Sequence, residues 1–294
     1  MDKKDKETRV KRPTTFEDQV NILRSRGLLI EDEEQAMKVL SRINYYRLSA
    51  YMLSYQSDNK FRSGVSFDDI YNLYEFDKKL RSMMMGVLET IEIAFRTHIA
   101  YLIAHKYGVL GYKERDNFRN GDYHGKMLQS FQREMERSHE VFVQHHKSAY
   151  SGVFPVWVAI ELATFSTLSK IYSNLKEDDQ DEIASSYYST KGIYVRTWLY
   201  ALSVVRNICA HHGRLYDRKL KISPRLFRGD SKKGIRNDTA FSALLTSGRL
   251  LKGNDEWSHF VTNLSVLIGQ YDGVDLSLIG FPANWEEILR RCSS

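Results

Sequence analysis

The sequence predicts an all-α, multi-helix bundle, and three observations lead there. Apolar residues recur at steps of three and four along most of the chain. Only four prolines interrupt 294 residues, and 42% of the residues are hydrophobic, enough to bury a substantial core. No apolar run approaches the roughly 20 residues that a membrane span needs. Two cysteines, Cys209 and Cys292, offer no disulfide framework, and the first residues are charged where a secretory signal would be apolar. A cytoplasmic protein with no membrane partner is expected.

Residues 1–13 read as a flexible basic arm. Thr14-Thr15-Phe16-Glu17 fits a capping box that opens a helix through Leu23, with Gly27 as its stop. Asp32 can cap a second helix over Glu33–Ile43, and Asn44–Tyr51 reads as a short aromatic third. These elements form an N-terminal helical region, 14–60, packed on a core that spans 61–294. Within that core Phe61–Val65 is a loop or small hairpin. Ser66-Phe67-Asp68-Asp69 then starts the longest pattern, an unbroken apolar stripe through Phe76, Leu80, Leu88 and Ile99 to Tyr107, ended by Gly108 and Gly111. Residues 112–125 are loop-like and 126–147 form a polar, charged helix. Pro155 suits a first helical position for Trp157–Leu175. Further helices are expected over Asp178–Tyr187, Ile193–Cys209, Ala240–Leu251, Glu256–Tyr271 and Asn284–Cys292.

The helix over Ile193–Cys209 ends in Arg206-Asn207-Ile208-Cys209-Ala210-His211-His212-Gly213-Arg214. Apolar helices rarely finish on so many polar groups unless these have partners or a task. Ten Lys or Arg lie between Arg206 and Arg236 against two Asp, so this segment carries +8 and the remainder of a chain with net +6 sums to −2. Such local charge suits a polyanion; the alternative is a solvated, flexible basic loop. Asn207 and His211, four residues apart, share a helix face, whereas Arg206 lies about 140° from His211. The chemistry is that of metal-free RNA cleavage. A 2′-hydroxyl attacks the neighbouring phosphate, His211 is the proton carrier, Arg206 grips the phosphate, and Asn207 orients the ring or the ribose. The other reading is a helix C-terminus whose Arg and His satisfy carbonyls and the dipole. Spacing alone does not decide, since Arg119-Asn120-Gly121-Asp122-Tyr123-His124 repeats it in turn-forming residues.

The motif Arg206-Asn207-x-x-x-His211 resembles the RNase motif of HEPN domains. With its extension to Tyr216 it is similar to that of the Abi-like (AbiD/AbiF) abortive-infection proteins of bacteria. Ile43–Tyr51 and Glu89–Arg96 agree, and the resemblance covers roughly residues 15–270. It implies a HEPN-like helical core with additional N-terminal and C-terminal helices, and a role in anti-phage defence or a toxin–antitoxin system. It further implies metal-independent RNA cleavage without a cofactor, and a homodimer that builds one site from two motifs. Some members of this group are associated with a small non-coding RNA, which is therefore an implied partner that binds or restrains the protein. The rival expectation is a non-catalytic RNA-binding scaffold.

Around the motif, His212, Arg214, Arg218, Lys219 and Lys221 are expected to attract the RNA backbone. Arg47, set among Tyr45, Tyr46 and Tyr51, could hold phosphate beside stacked bases, or the tyrosines could pack between helices. Glu92 and Arg96 form an i, i+4 pair that either is a plain ion pair or supports the catalytic helix. No metal site is expected. Adjacent His145 and His146 diverge by about 100° on a helix, and no Cys lies near. Cys209 is expected to be buried and not a nucleophile.

Overall fold

Thr15 and Asp18 open the first helix by exchanging hydrogen bonds of 3.0 Å between side chain and backbone in both directions. The capping box thus falls one residue later than the Thr14–Glu17 pairing, because Asp18 is the acid at the third helical position. The computed structural model describes residues 12–292, so the arm expected over 1–13 lies almost wholly outside the described residues. Among them, fourteen α-helices and one two-stranded hairpin occur, which is the all-α class read from the periodicity. No helix of the described residues is long and apolar enough to cross a membrane.

The chain divides into two compact units, the first made of the residues up to Lys78 with Ile268–Val274. Here α1 (Phe16–Ser25), α2 (Glu33–Arg42) and α3 (Tyr45–Met52) follow one another, capped by Thr15, Asp32 and Asn44. Gly27 terminates α1 at φ +91. The hairpin β1 (Gln56–Ser57) and β2 (Lys60–Phe61) turns through Asp58 and Asn59, both at positive φ. It therefore starts five residues before the expected Phe61–Val65 loop, at the two residue types that tolerate the left-handed region. The unit closes on the first turns of α4 (Phe67–Tyr107), whose Ile70, Leu73 and Phe76 are fully buried with Leu23 and Leu48. Tyr51 is also buried, donating 2.6 Å to Asp77, whereas Tyr46 is 85% exposed. The tyrosine cluster thus divides: Tyr51 packs, and Tyr46 faces solvent.

The second unit holds Lys79–Leu267 and the chain from Asp275 onward. The helix expected over 126–147 is two helices, α5 (Gly121–Arg137) and α6 (Val141–Ala149). Asn120 accepts from the Tyr123 amide and starts α5 early, inside the expected loop. Ser138 is extended, and its hydroxyl and carbonyl accept from Glu140 and Gln144, offering groups that compete with the helix ladder. The helix expected over Trp157–Leu175 is also interrupted. Pro155 sits just before α7 (Val156–Ala159) instead of inside it, a 3₁₀ turn follows over Ile160–Leu162, and Ala163 is extended. Thr164 then caps α8 (Phe165–Asn174) by accepting from the Thr167 amide.

Next come α9 (Glu177–Tyr188) and α10 (Gly192–Ala210), which packs on α8, α9 and α12 (Ala240–Leu250) and buries Trp198, Leu199, Leu202 and Val205. A short α11 (Arg228–Lys232) was not foreseen, its five residues being too few for a periodic signal. The unit ends with α13 (Asp255–Gln270), whose last three residues are assigned to the first unit, and α14 (Trp285–Arg291).

Candidate functional site

The last turn of α10 carries Arg206 and Asn207, and His211 is the residue that caps it. The helix ends in a Schellman arrangement: the Gly213 amide donates to the Ile208 carbonyl at 2.7 Å and the His212 amide to Cys209 at 3.0 Å. His212 occupies the left-handed position at φ +56 where glycine is usual. Gly213 is required for a different reason, since a Cβ there would lie 3.1–3.2 Å from Ile208. Leu215 and Tyr216, both buried, fasten the chain beyond, with the Tyr216 hydroxyl donating to the Asp275 carbonyl at 3.1 Å. This termination leaves the imidazoles of His211 and His212 exposed at the helix end.

Arg206 is held from two sides. Its Nη1 donates to Asn207 Oδ1 at 3.2 Å, and its Nη2 lies 3.5 Å from Glu92 Oε2. The other Glu92 oxygen accepts from Arg96 Nη2 at 2.6 Å. Arg96 also donates to the Ala163 carbonyl at 2.9 Å and pairs with Glu161 at 3.4 Å. Asn207 Nδ2 donates to the Ser166 hydroxyl at 3.2 Å. One buried carboxylate on α4 therefore bridges two guanidinium groups, and α8 fixes the asparagine. Two of the five guanidinium N–H groups of Arg206 are used this way among the described residues. The side chain stays 31% exposed, so the rest can meet an anion. His211 has no side-chain hydrogen-bond partner among the described residues, which leaves both ring nitrogens open for proton transfer.

The interruption at Ala163–Thr164 builds part of this arrangement. A continuous helix would have consumed the Ala163 carbonyl that receives Arg96 and would have turned Ser166 elsewhere. Sequence reading missed Glu161, Ala163 and Ser166. Thr164 was the available signal, as a capping residue three positions before Thr167.

The segment after the motif is largely without helix, yet it is tied down. Trp198 Nε1 donates to the Arg225 carbonyl at 2.7 Å, and the Arg225 amide donates to Thr197 Oγ1 at 3.0 Å. Phe227 lies against Tyr194 and Trp198, and the partly buried pair Asp230–Arg249 closes at 2.7 Å. This anchoring rules against a freely flexible loop. Arg225 rests over the Tyr194 ring, and Arg236 pairs with Asp238. Arg218, Lys219 and Lys221 are exposed, and Arg214 is half-buried. Arg47 lies on α3 in the first unit and is exposed.

The second Arg-x4-His match resolves into packing. His124 is 4% exposed, stacks on Phe118 and hydrogen-bonds the Tyr112 carbonyl at 2.9 Å. His146 likewise stacks on Phe154 while its Nδ1 meets the Phe142 carbonyl at 2.8 Å. His98 is wedged between aromatic rings, 3.6 Å from the Tyr187 ring and 3.0 Å from the Tyr188 hydroxyl, and burial pushes its pKa down to about 4. Cys209 is buried inside the motif.

A family model described as Abi-like protein matches residues 38–217, more than half of the chain, and includes the whole of the Arg206–His211 segment. No curated protein and no solved structure matches.

Proposed function

Since the chain belongs to the Abi-like protein family, we propose that it is a metal-independent endoribonuclease of the HEPN type, acting as a homodimer in anti-phage abortive infection or in a toxin–antitoxin system. The observation that carries this reading is Arg206, clamped by Glu92 and Asn207 yet presenting unused donors at the helix end that His211, exposed, caps. In the reaction the 2′-oxygen bonds to phosphorus and the bond to the 5′-oxygen breaks. His211 of one copy takes the 2′-proton, and His211 of a second copy supplies a proton to the departing oxygen. Arg206 meets the phosphoryl oxygens as negative charge grows on them, pre-oriented so that no reorganisation is needed at that moment. Asn207 acts through Arg206, since it hydrogen-bonds that guanidinium and Ser166.

The Arg206–Glu92 pair also supports a second reading, in which Arg206 is structural and the protein is a non-catalytic RNA-binding scaffold. Purified wild-type and His211→Ala chains incubated with single-stranded RNA in EDTA separate the two. The nuclease reading expects cleavage by the wild type alone, with the variant folded. Equal cutting by both, or loss of wild-type activity on adding EDTA, overturns it. RNA affinity of the Arg206→Ala/His211→Ala chain adds a second discriminator: under the nuclease reading binding persists while cutting stops.

A further inference from the structure

Along α10, Tyr200 and His211 are exposed and Arg196 and Asn207 half-buried. At 100° per residue, Arg196, Tyr200, Asn207 and His211 fall within about 60° of one another, so they form one stripe about 22 Å long. On α8, the serine that holds Asn207 begins a matching stripe at helical spacing: Ser166, Ser169, Lys170 and Ser173. Between these helices and α5 lies an open groove of ≈ 670 Å³. Its lining includes Arg119, Lys170 and Arg196 together with the rings of Tyr123 and Tyr200. A second cavity of ≈ 370 Å³ shares Tyr123 and Lys170 with it and adds Lys126 and Arg133. No Asp or Glu lines either cavity. Arg119 does pair with Glu177 at 3.1 Å, but that carboxylate is 73% exposed and the pair is a weak competitor for a phosphate.

The wall that carries Arg119 is rigid. Asn174, 5% exposed, accepts from the Asn120 amide at 2.9 Å and donates to the Asn120 carbonyl at 3.0 Å, while its own carbonyl accepts from the Arg119 amide at 2.9 Å. Tyr123 and Tyr200 are 61% and 49% exposed, with Lys126 Nζ 5.7 Å from the centre of the Tyr123 ring, so each ring is accessible to a stacking partner.

We infer that the α5–α8–α10 groove is a track for single-stranded RNA, with Arg119, Lys126, Arg133, Lys170 and Arg196 on phosphates and Tyr123 and Tyr200 under bases, and that the α10 stripe leads the strand to Arg206 and His211. Cations with interleaved aromatic rings are the chemistry of a single strand, because duplex bases are already stacked on one another. At about 3.4 Å per stacked nucleotide the stripe matches a run of about six, longer than a mononucleotide. The track rests on the ribonuclease reading only for the fate of the strand, not for its binding.

The test is fluorescence anisotropy with a labelled 12-nucleotide single-stranded RNA and the full chain, in EDTA, across salt concentrations. Lys170→Gln/Arg196→Gln is expected to weaken binding at least tenfold and to flatten the log–log salt dependence by about 1.4. Tyr200→Ala is expected to weaken it about tenfold. Circular dichroism should show all variants folded, their positions being at least partly exposed. Groove variants that bind like wild type overturn the track, even if His211→Ala abolishes cutting. Binding that depends on the groove, in a wild-type chain that never cuts RNA, keeps the track and removes the nuclease. An RNA duplex of equal length that competes as well as the single strand overturns the strand preference.

Discussion

Glu92→Gln tests whether the Arg206 clamp is a structural element as well as a functional one. Glu92 is 7% exposed, and its two oxygens serve Arg96 at 2.6 Å and Arg206 at 3.5 Å. The amide keeps the shape but removes the charge, and while its oxygen accepts from one guanidinium its NH2 is turned toward the other. Removing one partner of a buried ion pair costs about 3–5 kcal/mol. Here the cost is reduced, because Arg206 is 31% exposed and Arg96 keeps the Ala163 carbonyl and Glu161. A loss of about 2–3 kcal/mol is therefore expected, which for a unit of this size lowers the unfolding midpoint by about 4–12 °C. Thermal and urea unfolding would measure it. The cleavage rate should fall more than stability accounts for, since Arg206 loses its orientation. A further Arg206→Met exchange should restore part of the stability and none of the cleavage. A Glu92→Gln chain with wild-type midpoint and rate would show that the bridge carries neither role.

Two further substitutions probe packing and pH. His98 has a folded pKa of about 4 against the ordinary 6.5, so the unfolded chain binds the extra proton between those values. Its contribution is fully present above about pH 6.5 and is lost as pH falls towards 4, by about 1–2 kcal/mol after allowance for its partial exposure. His98→Gln should flatten the pH dependence of stability in that window, and an unchanged slope would refute the assignment. At Gly248 a Cβ would meet the Trp257 ring at 2.6 Å, and that ring is buried and fixed by its 2.9 Å hydrogen bond to Leu289. Gly248→Ala should therefore destabilise by about 2–3 kcal/mol in urea unfolding, against the gain of about 1 kcal/mol that helix propensity alone would give.

Long elements were legible in the sequence because their periodicity averages over many residues. The 41-residue α4 and the 19-residue α10 were found nearly whole, as was the polar end of α10. What escaped was set by single groups. Ser138 and Thr164 each divert the backbone with one side chain; the apolar period runs through the break at Thr164, and the polar stretch around Ser138 carries too little of one to mark its break. The Glu92–Arg96 pair was visible as i, i+4 spacing, but its link to Arg206 spans 114 residues and no local pattern encodes it. The basic segment is anchored through Phe227 and Asp230, whose partners Trp198 and Arg249 lie on other helices. The groove was hidden for the same reason: Arg119, Lys170 and Arg196 are scattered in sequence and meet only where α5, α8 and α10 do.

The central claim is that Arg206 and His211 cut RNA through its own 2′-hydroxyl. The most direct test is the end group left on a single-stranded RNA by the purified chain in EDTA, read by mass spectrometry. The account predicts a 2′,3′-cyclic phosphate or its hydrolysis product opposite a 5′-hydroxyl, with no product from His211→Ala or from the all-deoxy strand. A 5′-phosphate end, or the same product from His211→Ala, would contradict it.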